Sequence, residues 1–202
     1  MAKVTWRGGA LISPLPPTMV SCGDMENSNI ITIGWTGITN TIPPKTYISV
    51  RPSRHSHAII KEKGEFIINL TPSNLVKEAD YCGIYTGKKV DKFAKCKLTK
   101  VKGTEVDCPM IEECPLSIEC RVTDIISLGS HDMFMADILC VHVDDSLIDK
   151  EGKLHLDRAH LTAYAHGEYF ELGKKIGSFG FSTKKKKKHK KTTTQKEKTQ
   201  NE

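Results

Sequence analysis

The feature that most constrains the fold is a succession of short runs rich in β-branched residues, with few helical patterns between them. Residues 30–35 favour a strand because isoleucine, threonine and tryptophan suit a pleated surface. Further strand candidates lie at residues 20–22, 46–51, 65–70, 116–128, 132–143 and 154–156. A doubly wound fold would need regular alternation of strands and helices, which the sequence lacks. Six or seven strands with short helices therefore predict a mainly β protein, a barrel or a sandwich with helical insertions.

The strand candidate at residues 46–51 leads into a cluster of polar side chains. Strand alternation places Ile48 and Val50 on one face and sends Ser49 and Arg51 to the other. The polar residues that follow up to position 57 come just before the apolar run 58–60. This junction is typical of a helix start.

A helix at this junction would present an anion-binding end. Ser53 or Ser56 can cap a helix that runs through Ile60 and stops near Gly64. The first amides of a helix lack intrahelical acceptors and lie at the positive end of its dipole, so they suit a phosphate or a carboxylate. Additional donors to the same anion would be Arg54, Ser56 and His57. The alternative is a capped surface helix with a basic first turn.

Two further helices are expected. Thr71 followed by Pro72 predicts a helix start, and Gly83 predicts its end. Residues 87–97 predict a turn and a short helix that carries five lysines. Both helices are short, which agrees with a fold built mainly of strands.

Length and composition favour one globular domain, predicted at residues 1–180. The chain has 202 residues, of which 38% are hydrophobic and 27% are charged. No apolar run approaches the roughly 20 residues that a membrane-spanning helix needs, and the first residues lead into no signal-like apolar core. A cytoplasmic location without membrane contact is therefore expected.

Residues 181–202 predict a disordered lysine-rich tail. The net charge of +6 depends on residues 184–191, where seven of eight residues are lysine. A segment of this composition cannot bury apolar surface. It is either a solvated appendage, a localisation signal, or a non-specific binding segment for nucleic acid or an acidic membrane surface.

The sequence predicts neither a metal site nor a protein nucleophile. The seven cysteines include no C-x-x-C pair and favour reduced, small core residues, with a metal site or a redox pair as alternatives. The glycine patterns of dinucleotide-binding and P-loop sites are absent, and so are nucleophile elbows and zinc-protease motifs.

Several short motifs follow one another in a fixed order: N-x-x-T-x-x-W-T, P-P-x-x-Y-x-S-V-R, R-x-S-H-x-x-I, G-E-F-x-x-N-L and C-G-x-x-T-G-x-x-x-D-K-F. E-C-x-V, a G-S-H-D turn and a tyrosine at 164 continue the series. From about residue 10 to residue 175, this order resembles the flavoredoxin branch of the flavin reductase-like family.

The resemblance implies an FMN-binding split barrel, which is a Greek-key β-barrel with short flanking helices. Such barrels usually pair as homodimers, with the flavin near the subunit interface. The resemblance also implies that the flavin contacts are Asn29, Trp35, Ser56, Lys92, His131 and Tyr164. Candidates supported by adjacency and by the anion argument are Thr36, Arg51, Arg54 and His57. In this interpretation the helix start holds the flavin phosphate, an aromatic side chain packs on the flavin, and Lys92 lies near the pyrimidine end.

The function implied is electron transfer at a bound flavin. Electrons would come from NADH, NADPH or a protein donor and pass to a flavin, an iron species or a redox protein acceptor, with no catalytic side chain. Two alternatives stay open at this point: chemistry like that of pyridoxamine-phosphate oxidase, and a non-enzymatic barrel that binds a polyanion.

Overall fold

The computed structural model describes residues 1–183. The predicted domain boundary at residue 180 is followed by a single 3₁₀ turn at Phe181–Thr183. The rest of the predicted tail, residues 184–202, lies outside the described residues. Within residues 1–183, no helix is long and apolar enough to cross a membrane.

One seven-stranded sheet forms the body of the protein. Its strands are β1 (Thr18–Gly23), β2 (Ser28–Ile33), β3 (Thr36–Thr41), β4 (Pro44–Val50), β5 (Glu65–Asn69), β8 (Leu116–Ser127) and β9 (Asp132–Val143). They lie in the order β2-β1-β5-β8-β9-β4-β3, and every neighbouring pair is antiparallel. The prediction of a mainly β fold is confirmed.

The sheet rolls into a barrel because its two edge strands are consecutive in the chain. Only Gly34 and Trp35 separate β2 from β3, so opposite edges of the sheet must approach each other. The amide of Ser49 on β4 donates to the carbonyl of Trp35 at 2.9 Å and ties this connection to the far side of the sheet. The split-barrel prediction is confirmed.

Alternate residues of the strands fill the barrel. Along β4, Thr46, Ile48 and Val50 are buried, as expected from the period of two. Ile48 and Val50 pack with inward-facing residues from the other strands, among them Phe66 of β5 and Phe134 of β9. Phe66 and Phe134 are fully buried, and they are large enough to close the interior.

A second apolar layer covers the outside of β1 and β2. Helix α2 (Val76–Ile84) and helix α3 (Lys92–Cys96) pack there through Ala79, Cys82 and Phe93 on Met19 and Ile30. The hydrophobic effect therefore fixes both helices against the strands that carry Asn29 and Ile31.

Helix α1 (His55–Lys63) starts as the sequence indicated but is not capped as predicted. Arg54 is the N-cap, and no side chain makes the capping hydrogen bond, so the prediction of a Ser53 or Ser56 cap is wrong. Ser56 instead points inward from the first turn and is buried. Gly64 ends the helix in the left-handed conformation, with φ of 69°, as predicted.

The second helix differs from its prediction at both ends. A 3₁₀ turn at Ser73–Leu75 precedes α2, and the hydroxyl of Thr71 is buried without a hydrogen-bond partner. Gly83 lies inside the last turn of α2 and does not terminate it. Gly83 faces β2, where a Cβ at this position would make an ordinary contact with the Cβ of Thr32 at 3.4 Å.

The sequence-based prediction missed β3 and four shorter strands. β6 (Lys100–Lys102) pairs with β7 (Pro109–Ile111), and β10 (Thr162–Ala165) pairs with β11 (Glu168–Glu171). The predicted strand at residues 154–156 is wrong, because only an isolated bridge forms there before a 3₁₀ turn at Leu156–Arg158. The four shorter strands have too few residues to show a clear alternation of side chains.

All seven cysteines are free thiols, and the interpretation of most of them as core residues is confirmed. The fully or nearly fully buried ones are Cys22, Cys82, Cys108, Cys114 and Cys120. Burial raises the pKa of the Cys82 thiol to about 12, which keeps it protonated at neutral pH.

Candidate functional site

Two adjoining cavities open beside the start of α1. The first, named here the helix-start cavity, has a volume of about 250 Å³. Its polar lining includes Asn29, Ser53, His55, Ser56, Thr86 and Lys92. The second, named the aromatic cavity, has a volume of about 550 Å³, and its rings are Trp35, His131 and Tyr164. Ile31, Arg51 and Arg54 line both, so the two cavities form one continuous site.

Asn29 and Ser56 form a buried pair inside the helix-start cavity. The side-chain amide of Asn29 donates to the hydroxyl oxygen of Ser56 at 2.8 Å. Gly87 approaches this pair so closely that a Cβ there would lie 2.2 Å from Oδ1 of Asn29. Glycine at position 87 is therefore required for Asn29 to keep its place.

Lys92 brings a buried positive charge to the same cavity. Its side chain is 3% exposed, and Nζ donates to the carbonyls of Ile30 at 2.6 Å and Cys82 at 2.7 Å. Asp91 caps α3 by accepting from the amide of Ala94 and so sets Lys92 as the first helical residue. Burial lowers the pKa of Lys92, because desolvation disfavours the ammonium form.

The electrostatics of the site favour an anion. Arg51, Arg54 and Lys92 are the cations of the lining, and within the described residues 1–183 no carboxylate lines either cavity. The nine-residue helix α1 begins at the helix-start cavity, so its dipole adds to the positive potential. A phosphate matches both the charge and the donors available there.

The aromatic cavity offers flat apolar surfaces. The rings of Trp35 and His131 have centroids 4.5 Å apart and planes inclined at 49°. Tyr164 is held by two 2.8 Å backbone hydrogen bonds with Leu15 and by an edge-on contact with Tyr169. Burial, and to a smaller degree the charge of Arg51, lowers the pKa of His131, which is therefore neutral at physiological pH.

Eight of the ten predicted site residues line the two cavities, whereas Thr36 and His57 line neither. The hydroxyl of Thr36 donates to the carbonyl of Tyr47 at 2.6 Å, within the β3–β4 pair. His57 turns away from the helix start and contacts Oδ2 of Asp132 through Nε2 at 2.8 Å. The hydrogen bond from His57 lowers the pKa of Asp132. Both side chains therefore bond to other groups of the protein, and neither lines a cavity.

Sequence reasoning missed several lining residues. Ser53, His55, Tyr85, Thr86 and Gly87 all border the helix-start cavity. The motif C-G-x-x-T-G contains Thr86 and Gly87, so a signal for these two was present in the sequence. Their proximity to Asn29 depends on the packing of α2 on β2, which no local pattern reports.

The chain matches known proteins over most of its length. A family model described as flavin reductase like domain matches residues 12–173. The structure of a flavoredoxin from Desulfovibrio vulgaris (Miyazaki F) superposes with a TM-score of 0.84 at 31% identity, covering 91% of this chain and 100% of that one. A flavoredoxin from Methanosarcina acetivorans gives a TM-score of 0.83 at 27% identity, covering 91% and 98%.

Relatives with a stated activity match a smaller part of the chain. A protein of Stutzerimonas stutzeri (strain A1501) named FMN reductase (NADH) RutF is 26% identical over 107 residues, which cover 52% of this chain and 58% of that protein.

Proposed function

The chain belongs to the flavin reductase-like family, and from this premise we propose that it is an FMN-binding oxidoreductase of the flavoredoxin type. One observation carries the proposal most directly. A cationic cavity at a helix start continues into a cavity lined by aromatic rings, and the described residues contribute no carboxylate to either lining. FMN has a phosphate at one end and a flat ring system at the other, so its two ends match the two cavities.

The helix-start cavity suits the phosphate of FMN. Arg54 and Ser56 flank the first amides of α1, and Arg51 lies at the junction with the aromatic cavity. Charge-assisted hydrogen bonds from these groups would hold the dianion. Asn29 acts indirectly by orienting the Ser56 hydroxyl.

The aromatic cavity suits the flavin ring. Trp35, His131 and Tyr164 supply large apolar surfaces that exclude water from one side of a bound ring. His131, neutral at physiological pH, can donate or accept a hydrogen bond there without adding charge. These side chains come from three separate segments of the chain. Contacts with all three would fix the orientation of a bound flavin ring relative to the barrel.

A bound flavin supplies the redox chemistry by accepting and releasing electrons, so the protein needs no nucleophile of its own. The residues of the protein bind the flavin, orient it and shield it from water. Lys92 adds a fixed positive charge, which stabilises negative charge on whichever part of the cofactor lies beside it. The position of Lys92 with Arg54 and Ser56 supports a role at the phosphate. The pyrimidine role that the resemblance implies stays a prediction.

NADH or NADPH is the donor that we propose, with a flavin, an iron species or a redox protein as acceptor. The relative named FMN reductase (NADH) supports the nicotinamide donor, and the two flavoredoxin structures support an electron carrier. A reducing compartment such as the cytoplasm, which would keep the seven free thiols reduced, completes the proposal.

We also propose that two copies of the chain form a homodimer near the flavin site. Apolar side chains that a monomer leaves in water support this: Ile38 on β3 is 64% exposed, and Ile126 and Leu128 at the tip of the β8–β9 hairpin are 44% and 57% exposed. Trp35 in the aromatic cavity is itself 40% exposed. Light scattering after size exclusion should give twice the chain mass of 22.5 kDa, and a mass equal to one chain would contradict the dimer.

The decisive experiment is an absorbance spectrum of the purified protein, followed by anaerobic addition of NADH and then NADPH. The expected result is a two-band flavin spectrum that bleaches with one of the nucleotides. Flavin that stays oxidised with both would favour a protein donor. A protein that remains colourless after FMN is added and the excess is removed would contradict tight flavin binding. In that case, turnover of pyridoxine phosphate and salt-dependent binding of a polyanion would test the two alternatives.

A further inference from the structure

The outer face of the barrel carries a cluster of three metal-ligand types away from both cavities. Glu119 lies on β8 directly opposite Cys140 on β9, and His142 lies two residues further along β9 on the same face. One ligand atom from each of the three lies within 4.8 Å of the others. None of the three lines the helix-start or the aromatic cavity.

The carboxylate of Glu119 is fully buried and held by the backbone of one loop. Oε1 accepts from the amide of Thr104 at 2.7 Å, and Oε2 accepts from the amides of Glu105 at 2.7 Å and Val106 at 2.9 Å. A Cβ at Gly103 would lie 2.5 Å from the carbonyl of Val106, so the loop is closely wrapped around the carboxylate. Hydrogen bonds of this kind orient a metal ligand from its outer side.

One distance between ligand atoms fits a tetrahedral ion as it stands, and the other fits after a small movement of His142. Sγ of Cys140 lies 3.5 Å from Nε2 of His142, and zinc with its usual bond lengths places such a sulfur and nitrogen about 3.5 Å apart. Nε2 of His142 lies 2.5 Å from Oε1 of Glu119, where a shared ion would require about 3.3 Å. The ring of His142 would move by less than about 1 Å, which is feasible because its side chain is 31% exposed.

A cavity of about 270 Å³ lies on the side of His142, where Ser117, Met110 and Asp144 also border it. Neither Glu119 nor Cys140 lines this cavity, so it gives water access to the cluster only through His142. A water ligand to a bound ion would come from that side.

We propose that Glu119, Cys140 and His142 bind a divalent transition metal, with zinc as the best match. Cys140 and Glu119 both contact Nε2 of His142, and an oxygen, a nitrogen and a sulfur ligand around one point suit zinc. Binding releases the thiol proton and any proton on Nε2, and the thiolate and carboxylate charges neutralise the dication. The ion ties the loop 103–106 to the β8–β9 pair.

Cobalt(II) substitution tests this site. The protein is stripped with a chelator and titrated with Co²⁺, and absorbance is read at wavelengths longer than the flavin bands. We expect the intense bands of a tetrahedral thiolate complex, saturating at one ion per chain and abolished by added Zn²⁺. Zinc should also raise the midpoint of thermal unfolding of the stripped protein, because only the folded state contains the site.

Matched variants assign the ligands. Cys140→Ala and His142→Ala should each lower the affinity for Co²⁺ at least tenfold, whereas Cys96→Ala and His155→Ala, which alter a thiol and a histidine elsewhere, should leave it unchanged. Circular dichroism verifies that each variant is folded. Weak bands typical of octahedral Co²⁺, or bands that persist in Cys140→Ala, would overturn the proposal.

Discussion

At the scale of single residues, the proposed cofactor site depends on close approaches that leave no room for additional atoms. Gly87 is the clearest case. Asn29 fills the space that a Cβ at position 87 would need, and Asn29 in turn positions the hydroxyl of Ser56. One glycine on the α2–α3 connection thus controls a hydrogen bond between β2 and α1.

Gly87→Ala should weaken FMN binding by roughly tenfold or more, the loss expected when one charge-assisted contact is displaced. The measurement is a fluorescence titration of apoprotein with FMN. Gly173→Ala, where nothing lies within 4 Å of the new methyl group, is the control and should bind as the parent protein does. Equal affinity of both variants would exclude the Asn29–Ser56 pair from the site.

Lys92→Met tests the buried charge at nearly constant volume. We expect a loss of affinity that is larger for FMN than for riboflavin, because the cavity that contains Lys92 is assigned to the phosphate. Lys95→Met, on the exposed side of the same helix, should change neither affinity. If the loss is equal for both flavins and the reduction potential falls, Lys92 lies beside the pyrimidine ring and not beside the phosphate.

At the scale of elements, the position of α1 relative to β9 is fixed by a side-chain contact. His57 in the first turn of α1 and Asp132 at the start of β9 are both mostly buried, and they join the helix start to the strand that follows His131. Although the sequence suggested an anion contact for His57, its geometry makes it a residue that positions the helix.

This contact should contribute to stability in a pH-dependent manner. The pKa of Asp132 is lower in the folded protein than its ordinary value of 3.8, so the unfolded chain binds more protons in the window below that value. The contribution is present above pH 3.8 and is lost as the pH falls through the lowered value. Asp132→Asn should therefore flatten part of the acid decline in the free energy of unfolding, measured with urea at several pH values.

Asp124→Asn, which changes an exposed aspartate on β8, is the control for this experiment and should keep the acid decline of the parent protein. The same decline in both variants would show that the His57–Asp132 contact does not stabilise the ionised carboxylate.

At the scale of the whole molecule, the rolled sheet brings distant segments to one place. β2, the start of α1, the α2–α3 connection and the turn before β9 meet around two cavities, although they span residues 28–132. The family match, residues 12–173, covers all of these segments.

The lysine-rich segment lies outside the family match, which ends at residue 173. Truncation after Thr183 should therefore leave the FMN affinity unchanged, and it should remove any salt-dependent binding to nucleic acid. Flavin affinity and retention on a polyanion column measure the two effects. Loss of FMN from the truncated protein would assign the tail a role in cofactor binding.

Local sequence patterns were sufficient to predict the longer strands and eight of the residues that line the two cavities. The alternation at Ile48 and Val50, the long runs that form β8 and β9, and the ordered motifs gave the fold and eight residues of the two cavities, because side-chain period and residue type are local properties. The sequence predicted that Lys92 and Ser56 belong to the site, but it did not predict their buried hydrogen bonds.

Tertiary packing determines which polar side chains face the cavities and which stabilise the fold. His57 and Ser56 are neighbours in one helical turn, yet one contacts Asp132 and the other contacts Asn29. Glu119, Cys140 and His142 share no spacing that marks them as a group in the chain, and the register of β8 on β9 brings them together. Such contacts arise from strand pairing between segments far apart in sequence, which no local pattern encodes.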